Sequence, residues 1–143
     1  MRKGYKLEAQ IQKVLDYVNS IGYHAHKNNP RRTVDGVYLE GEPFDYEIMT
    51  PMFIDCFDAK EVKGEVWAMH KKDIMQAEHL KHAKNAGIRA YFLIQFGAGT
   101  YPLMIDIDSV IDLLKRNIKS IPMTLGKRWD VVEVLKNDST TNN

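Results

Sequence analysis

Two carboxylates and an ammonium group interrupt an otherwise apolar stretch, "FIDCFDAKEV" at residues 53–62. If this stretch is a strand, alternation places Asp58 and Lys60 on one face and Asp55 on the other. Burying a carboxylate without a partner is costly, so Asp58 needs a cation, a hydrogen-bond network or water. An isolated Asp-x-Lys pattern favours a partly exposed ion pair at the edge of a sheet. Asp55 is expected to be a structural hydrogen-bonding group.

A second carboxylate changes the interpretation of this pattern. Asp35 lies in "TVDGVY", where a bend and a further strand are expected to begin. Two carboxylates that converge on one point repel each other unless a positive charge lies between them. A hard divalent cation bound by oxygen atoms fits this need, with Mg²⁺ first and Mn²⁺ as the alternative. Asp45 and Glu47 compete with Asp35 for the role of first ligand.

Composition limits the classes of protein that fit. The chain has 143 residues, 44% of them hydrophobic, which predicts one compact domain over residues 1–136 and a polar, frayed tail over 137–143. One cysteine excludes an internal disulfide framework and a cysteine-built zinc site. No apolar run approaches the ~18 residues that span a bilayer, and no signal peptide is expected. The cytoplasm is the predicted location.

Charge is uneven along the chain although the net charge is only +1. Residues 24–34 contain three Lys or Arg and no acid, residues 35–58 contain seven acids and no Lys or Arg, and basic residues return over 60–72. This order suits a site that holds a cation at its centre and a polyanion across its rim. Solvated surfaces that happen to cluster are the simpler explanation of the charge pattern alone.

Hydrophobic periodicity predicts the elements that must position these groups. Helices are expected over residues 5–20, 70–86 and 108–118, and strands over 35–41, 52–60, 88–96 and 101–107. The segment "GEPFDYEIMTP" at 41–51 is interpreted as a loop or irregular hairpin. The strand–helix–strand step over 53–96 predicts a parallel pair of strands. The fold class is therefore α/β, in the order α-β-β-α-β-β-α.

Four blocks of the sequence resemble a known family. An acidic residue followed by Asp/Glu-x-Lys across two strands is the pattern of the PD-(D/E)xK nuclease superfamily. Within it, "GYKLE", "VDGVY", "FIDCFDAKEV" and "IMQAEHLKHAKNAGIRAYFLIQF" resemble, in the same order, segments of the bacterial Holliday junction resolvase RecU. Archaeal junction-cleaving enzymes share a looser version. The resemblance covers about residues 4–96 and implies a restriction-endonuclease-like core with a mixed central sheet flanked by helices.

The resemblance also implies roles for single residues. Asp35 and Asp58 would bind the metal ion, with the carbonyl group of Ala59 as a further ligand. Lys60 would hold or help to deprotonate the attacking water and offset charge on the phosphate. Glu8 would complete the outer set of carboxylates, or be a first-turn acid favoured by the helix dipole. Gln76 would orient Lys60 or the water, or bind only backbone.

The implied substrate is branched DNA. Residues that flank the site and could bind phosphates are Arg31, Arg32, Lys63, Lys71 and Lys72. No base-reading motif stands out, which favours recognition of DNA shape over recognition of sequence. Cutting a four-way junction symmetrically implies a homodimer. Trp67 and Cys56 are expected to be packing residues, and His79 and His82 to lie on a solvated helix face.

Two departures from the family pattern concern substrate recognition. The long stalk-like insertion of the family is reduced to "HKNNPRRT", and the segment between Asp35 and Asp58 is longer and more acidic. The expected function is a Mg²⁺-dependent junction endonuclease of DNA recombination and repair, with a phage or mobile-element origin suggested by the small size. The alternatives are a non-catalytic DNA-binding protein on a nuclease fold, or a nuclease that acts on flaps, ends or restriction sites.

Overall fold

The first helix forms where the periodicity predicted it. A computed structural model describes residues 5–28, 31–32, 38–39 and 44–141, with side chains over 6–28 and 44–138. Helix α1 spans Tyr5–Ser20 and buries one apolar stripe, formed by Leu7, Ile11, Leu15 and Val18. The 3–4 residue spacing of this stripe places all four side chains on one face of the helix.

Within the described residues, ten strands and three more helices come after α1. The strands are β1 (His24–Lys27), β2 (Arg31–Arg32), β3 (Tyr38–Leu39), β4 (Tyr46–Met49), β5 (Ile54–Val62), β6 (Val66–Ala68), β7 (Arg89–Phe96), β8 (Leu103–Asp106), β9 (Ser120–Pro122) and β10 (Lys127–Arg128). The helices are α2 (Lys71–Asn85), α3 (Ile107–Lys115) and α4 (Val131–Thr141), with a 3₁₀ turn at Met123–Leu125. None of the described helices is long and apolar enough to cross a membrane.

Six of the strands form one mixed sheet in the order β1-β4-β5-β7-β8-β10. The central pair β5–β7 is parallel, as the strand–helix–strand step predicted, and the other pairs in this sheet are antiparallel. Two small ribbons, β2–β3 and β6–β9, lie outside it. The predicted α/β fold with a mixed central sheet is confirmed.

Side-chain alternation along β5 divides the core into two layers. Cys56 points into the layer of α2 and α3, where Phe92, Ile94 and Leu80 are fully buried. Phe57 points into the layer of α1 and α4, and its ring stacks between those of Tyr46 and Tyr91. Each face of the sheet is thus covered by helices, and the polar residues of β5 must find partners inside these layers.

The segment 41–51, which was predicted to be a loop or an irregular hairpin, contains the strand Tyr46–Met49, which pairs antiparallel with β5. The loop alternative was therefore wrong there, whereas the hairpin alternative agrees with this pairing. Tyr46 and Ile48 are buried while Glu47 and Met49 are more exposed, which is the period-two pattern of a strand. Only four residues alternate, and prolines and acids surround them, so the local signal is weak. The expected strand over 35–41 is described only at Tyr38–Leu39, and β1 was not predicted.

The C-terminal segment is helical through Thr141. Its start is fixed by the buried residues Val131 and Leu135, which pack in the layer of α1. Residues 142–143 lie outside the described part of the chain. The expected frayed tail over 137–143 and the single domain over 1–136 stay predictions.

Candidate active site

The site forms where β5 extends beyond the end of its pairing with β4. The antiparallel pairing of these strands runs from Met49↔Ile54 to Tyr46↔Phe57, whereas β5 continues to Val62 beside β7. From Asp58 onward, one edge of β5 is therefore free of β4. Side chains at such a divergence can be buried at their base and open at their tip.

Asp45, the residue before β4, fills this divergence. Its backbone N–H donates to Oδ1 of Asp58 at 2.8 Å, and its own Oδ2 accepts from the N–H of Ala59 at 3.3 Å. The Asp58 carboxylate is thus bound to the backbone of Asp45, and the Asp45 carboxylate is bound to the backbone of the residue after Asp58. The two acids therefore lie side by side. Asp45 and Glu47 were the two alternatives to Asp35 as first carboxylate. Asp45 is the one that the described structure brings to Asp58, whereas Glu47 contacts Asn28 and His26.

The environment of Asp58 disfavours its negative charge. The residue is 1% exposed, and its Oδ2 has no hydrogen-bond partner among the described residues. Burial, then the charge of Asp45, raises the pKa of Asp58 to about 7, against the smaller lowering effects of the Asp45 N–H and Lys60. An unpartnered carboxylate oxygen beside a second carboxylate is the donor chemistry that a hard divalent cation prefers. The residues present therefore fit such an ion.

Lys60 is held by α2. Its Nζ lies 3.0 Å from Oδ1 of Asp73, whose other oxygen accepts from the N–H of His70 at 2.8 Å. Asp73 is itself buried and closes the first turn of the helix. Asp73 was not among the site residues predicted from the sequence. An acid in the first turn of a helix is ordinarily a capping residue, so the position of Asp73 in the sequence indicated a role in helix stability and not in a site.

Gln76 lies one turn after Asp73 on the same face of α2, and its side chain is partly buried. The described ion pair of Lys60 is with Asp73. The role of Gln76 in orienting Lys60 or a water stays a prediction, and its position beside Asp73 is compatible with it.

Glu8 lies on the other side of the sheet. It forms an ion pair with Lys27 at 3.0 Å, and both side chains are about half exposed. The ammonium of Lys27 lies 5.9 Å from the ring centre of Tyr46. The hydrogen bond that Lys27 donates to Glu8, with a smaller contribution from the charge of Asp45, raises the pKa of Lys27. Glu8 therefore lies at the same end of the sheet as Asp45, in the layer of α1.

A hydrogen-bond network behind Asp45 fixes its backbone. The N–H of Asn28 donates to the carbonyl of Asp45 at 2.8 Å, and its side-chain amide donates to the carbonyl of Phe44 at 3.0 Å. The same amide reaches Glu47 at 3.3 Å, and Glu47 also lies 3.7 Å from His26. Asn28 thus attaches the segment before β4 to the end of β1.

Comparison with known proteins agrees with this architecture. A protein-family model described as "RecU: Recombination protein U" matches residues 2–136. This chain belongs to the RecU family. The family resemblance seen in the four sequence blocks is thereby confirmed. No match was found among curated proteins.

A solved structure shows the same fold. It is that of Hjc from Archaeoglobus fulgidus, a Holliday junction resolvase from an archaeal hyperthermophile, with a TM-score of 0.53 and 15% sequence identity. The match covers 87% of this RecU family chain and 98% of the Hjc chain. At this identity the likeness concerns the fold, including the mixed sheet that carries Asp58 and Lys60.

Several predicted site residues of this RecU family member lie at or beyond the limits of the described structure. Asp35 lies outside the described residues, and Arg31 and Arg32 are described only as backbone in β2. Lys63 is exposed just after β5, and Lys71 and Lys72 are exposed in the first turn of α2. These three cations are therefore placed near the two elements that carry Lys60 and Asp73.

Other polar groups near the site have structural roles, as the sequence predicted. Asp55 points to the opposite face, where it accepts hydrogen bonds from Arg89 and from the hydroxyl of Tyr91, both at 2.7 Å. Cys56 is 2% exposed, and burial raises the pKa of its thiol to about 12, which makes it unreactive. Trp67 is buried against Phe92.

The two histidines of α2 lie where the sequence predicted them. His79 and His82 are both exposed on α2, as expected of a solvated helix face. Within the ranges that the structure describes, no group of three or more His, Cys, Asp or Glu residues is arranged to hold a metal ion. Asp45 and Asp58 would therefore need the Ala59 carbonyl, substrate or water to complete a coordination shell.

Proposed function

We propose that this RecU family member is a metal-dependent endonuclease that hydrolyses phosphodiester bonds in four-way DNA junctions during recombination and repair. The observation that carries the proposal is the unpartnered, buried Oδ2 of Asp58 beside Asp45, with the Lys60 ammonium on the same face of β5. A stable protein without a use for this carboxylate has no physical reason to bury it in this way.

The metal ligands in this proposal are Asp58, the carbonyl of Ala59 and a second carboxylate. Asp45 is the better second carboxylate because its Oδ2 lies at the N–H of Ala59. Asp35 remains the assignment implied by the family resemblance. A bound Mg²⁺, or Mn²⁺ in its place, would supply Lewis-acid polarisation of the scissile phosphate.

Lys60 supplies the remaining positive charge. Asp73 accepts one of the three N–H groups of its ammonium, and the other two are available for a phosphate oxygen or the attacking water. The ion pair fixes the direction of a side chain that is otherwise flexible, which reduces the entropy lost when substrate binds. Gln76 would support this orientation from the same helix face, and Glu8 would bind outer water molecules across the edge of the sheet.

The substrate is bound by cations around the site in this proposal. Lys63, Lys71 and Lys72, together with Arg31 and Arg32, would contact phosphates without reading bases. Two incisions at symmetric positions require two sites, so we expect a homodimer, acting in the cytoplasm. Branched DNA, and not membrane, is the expected partner.

The test is a cleavage assay with three labelled substrates: a four-way junction, a flap and a linear duplex, each in Mg²⁺ and in EDTA. We expect Mg²⁺-dependent, symmetric nicks in the junction alone. Lys60→Ala should lower the cleavage rate at least about a hundredfold, while Lys81→Ala, which removes a partly exposed cation paired with Asp108, should not. Binding without cleavage by the wild-type protein would favour the non-catalytic alternative, and cleavage of flaps or duplex would change the substrate class.

A further inference from the structure

A second cationic surface lies at the far edge of the sheet, away from the lysines already assigned to DNA. An open depression of about 300 Å³ separates α1 from the loop before β8 and from the end of β10. The described residues that line it are Gln10, Lys13, Val14, Tyr101, Pro102, Arg128 and Trp129. This lining contains two cations, an amide and two aromatic rings, and no acid. We call it the Arg128 surface.

The two cations of the Arg128 surface are available to a ligand. Lys13 and Arg128 are both exposed, and neither forms an ion pair with any residue that the structure describes. The guanidinium of Arg128 lies 4.8 Å from the ring centre of Tyr101, which is 43% exposed. A guanidinium stacked on an exposed ring keeps its N–H groups directed outward and adds a surface on which a base can stack.

The backbone holds Arg128 firmly. It pairs with Leu103 in the sheet, and the next residue, Trp129, donates its indole N–H to the hydroxyl of Tyr91 at 2.9 Å. Trp129 also packs edge-on against Phe57 in the core. Arg128 is therefore positioned by rigid elements on both sides, as a binding residue must be to select a geometry.

The register of the sheet places this surface level with the candidate active site. Lys60 pairs with Ile94, Ile94 with Leu103, and Leu103 with Arg128. Three strand spacings separate the backbone positions of Lys60 and Arg128, which is roughly 14 Å at ~4.8 Å per strand. Lys60 faces the layer of α2, whereas the Arg128 surface is lined by α1, so the DNA would pass over the end of the sheet from one layer to the other. At ~3.4 Å per base pair, that distance corresponds to about four base pairs of duplex.

We propose that the Arg128 surface binds the sugar–phosphate backbone of the DNA arm that extends away from the cleavage site. The inference rests on the proposed function and extends it, because it defines how far the substrate reaches across the sheet. The adjoining depression on the α4 side carries one acid and one further cation, Glu133 and Lys136, so the positive charge is concentrated at Lys13 and Arg128. That concentration favours a phosphate chain as the occupant.

The experiment measures binding of a fluorescent four-way junction in EDTA over a series of salt concentrations. The proteins are the wild type, Lys13→Ala, Arg128→Ala, the double variant and Arg128→Lys. Lys81→Ala is the matched control, since it removes the same charge on α2, in the other helix layer. We expect each alanine substitution at the Arg128 surface to reduce the slope of log K against log salt by about 0.9, and the double variant to bind at least about tenfold more weakly at low salt.

Arg128→Lys keeps the charge and should retain most of the slope. At saturating protein in Mg²⁺, the double variant should cut the junction within about threefold of the wild-type rate, because Asp58 and Lys60 are unchanged. Slopes equal to that of Lys81→Ala would overturn the inference. So would a loss of self-association in sedimentation with DNA binding intact, since the surface would then be an interface between two copies. A wild-type protein that binds but never cuts would refute the proposed function, while the slopes still decide the inference.

Discussion

Asp58 is a residue whose burial lowers the stability of the metal-free protein and also forms part of the candidate site. Its Oδ1 accepts one hydrogen bond from Asp45, and its Oδ2 accepts none from the described residues. A carboxylate in such a place is more stable protonated, which is why its pKa rises to about 7 from an ordinary value of 3.8. The metal-free protein should therefore be least stable at the pH values where this group is ionised.

We expect Asp58→Asn to stabilise the metal-free protein at pH 8. Because the folded pKa lies above the unfolded one, the native state binds the proton more tightly, and the free energy of unfolding falls as pH rises from about 4 to about 7. The amide cannot ionise, so the gain at pH 8 should be on the order of a few kcal/mol. Urea unfolding in EDTA at pH 5 and pH 8 measures it.

The exposed Asp112, which pairs loosely with Arg116 at 3.6 Å, provides the control. Asp112→Asn makes the same chemical change on the surface and should shift the unfolding free energy by less than about 0.5 kcal/mol at both pH values. An equal effect of the two substitutions, or destabilisation by Asp58→Asn at pH 8, would contradict the burial argument.

Asn28 is expected to position Asp45. Removing its amide in Asn28→Ala leaves the carbonyl of Phe44 without this partner, so the segment that carries Asp45 is held to β1 by the backbone hydrogen bond from the N–H of Asn28 to Asp45 and by the pairing of β1 with β4, and is less firmly fixed. We expect the Mg²⁺ concentration for half-maximal cleavage to rise several-fold, with a smaller change in the rate at saturating Mg²⁺. Asn19→Ala is the matched control, because Asn19 also donates to a backbone carbonyl, that of Ala25 at 2.9 Å, but at the start of β1. It should lower stability, by ~1 kcal/mol, without changing the metal requirement.

The sequence predicted part of this site and missed part, for identifiable reasons. Asp58 and Lys60 share a face because alternation along a strand is a local property. Which acid faces Asp58 depends on the pairing register of β4 and β5, which no local pattern encodes, so Asp35, Asp45 and Glu47 stayed open. Asp73 was missed because its contact with Lys60 depends on how α2 packs on the sheet.

At the scale of elements, the parallel pair β5–β7 was the easiest to predict. β7 carries a nearly continuous apolar run, β5 carries apolar residues interrupted by charged ones, and one helix connects the two strands. The sheet edges were hard to predict, because β1 has four residues and β10 has two. The position of β10 depends on its pairing with Leu103 and on the hydrogen bond from Trp129 to Tyr91, which are both tertiary contacts. Short edge strands carry too little periodicity to be recognised, although here they position Asn28 and Arg128.

The ends of β5 and β7 approach each other closely at a glycine. The N–H of Gly97 donates to the carbonyl of Val62 at 2.7 Å, and a Cβ at Gly97 would lie 2.9 Å from the backbone N of Gly64. Gly97→Ala should therefore force the two loops apart and destabilise the protein by ~1–3 kcal/mol. Gly99→Ala is the control, since its Cβ would meet nothing closer than 3.5 Å. Thermal unfolding compares the two, and equal melting temperatures would show that the loops separate freely.

The whole molecule has one Asp58–Lys60 pair per chain, whereas resolving a four-way junction requires cuts in two strands. If the protein works as a dimer, mixing wild-type protein with an excess of Lys60→Ala protein should form mixed dimers with a single competent site. We expect such mixtures to accumulate junctions nicked in one strand, at the expense of fully resolved duplexes. A supercoiled cruciform plasmid distinguishes the two products, because a single nick gives an open circle and paired cuts give a linear molecule. Mixing with Lys81→Ala protein should leave the ratio of linear to nicked product unchanged. If the Lys60→Ala mixture also left this ratio unchanged, each chain would act alone, and the dimer would be contradicted.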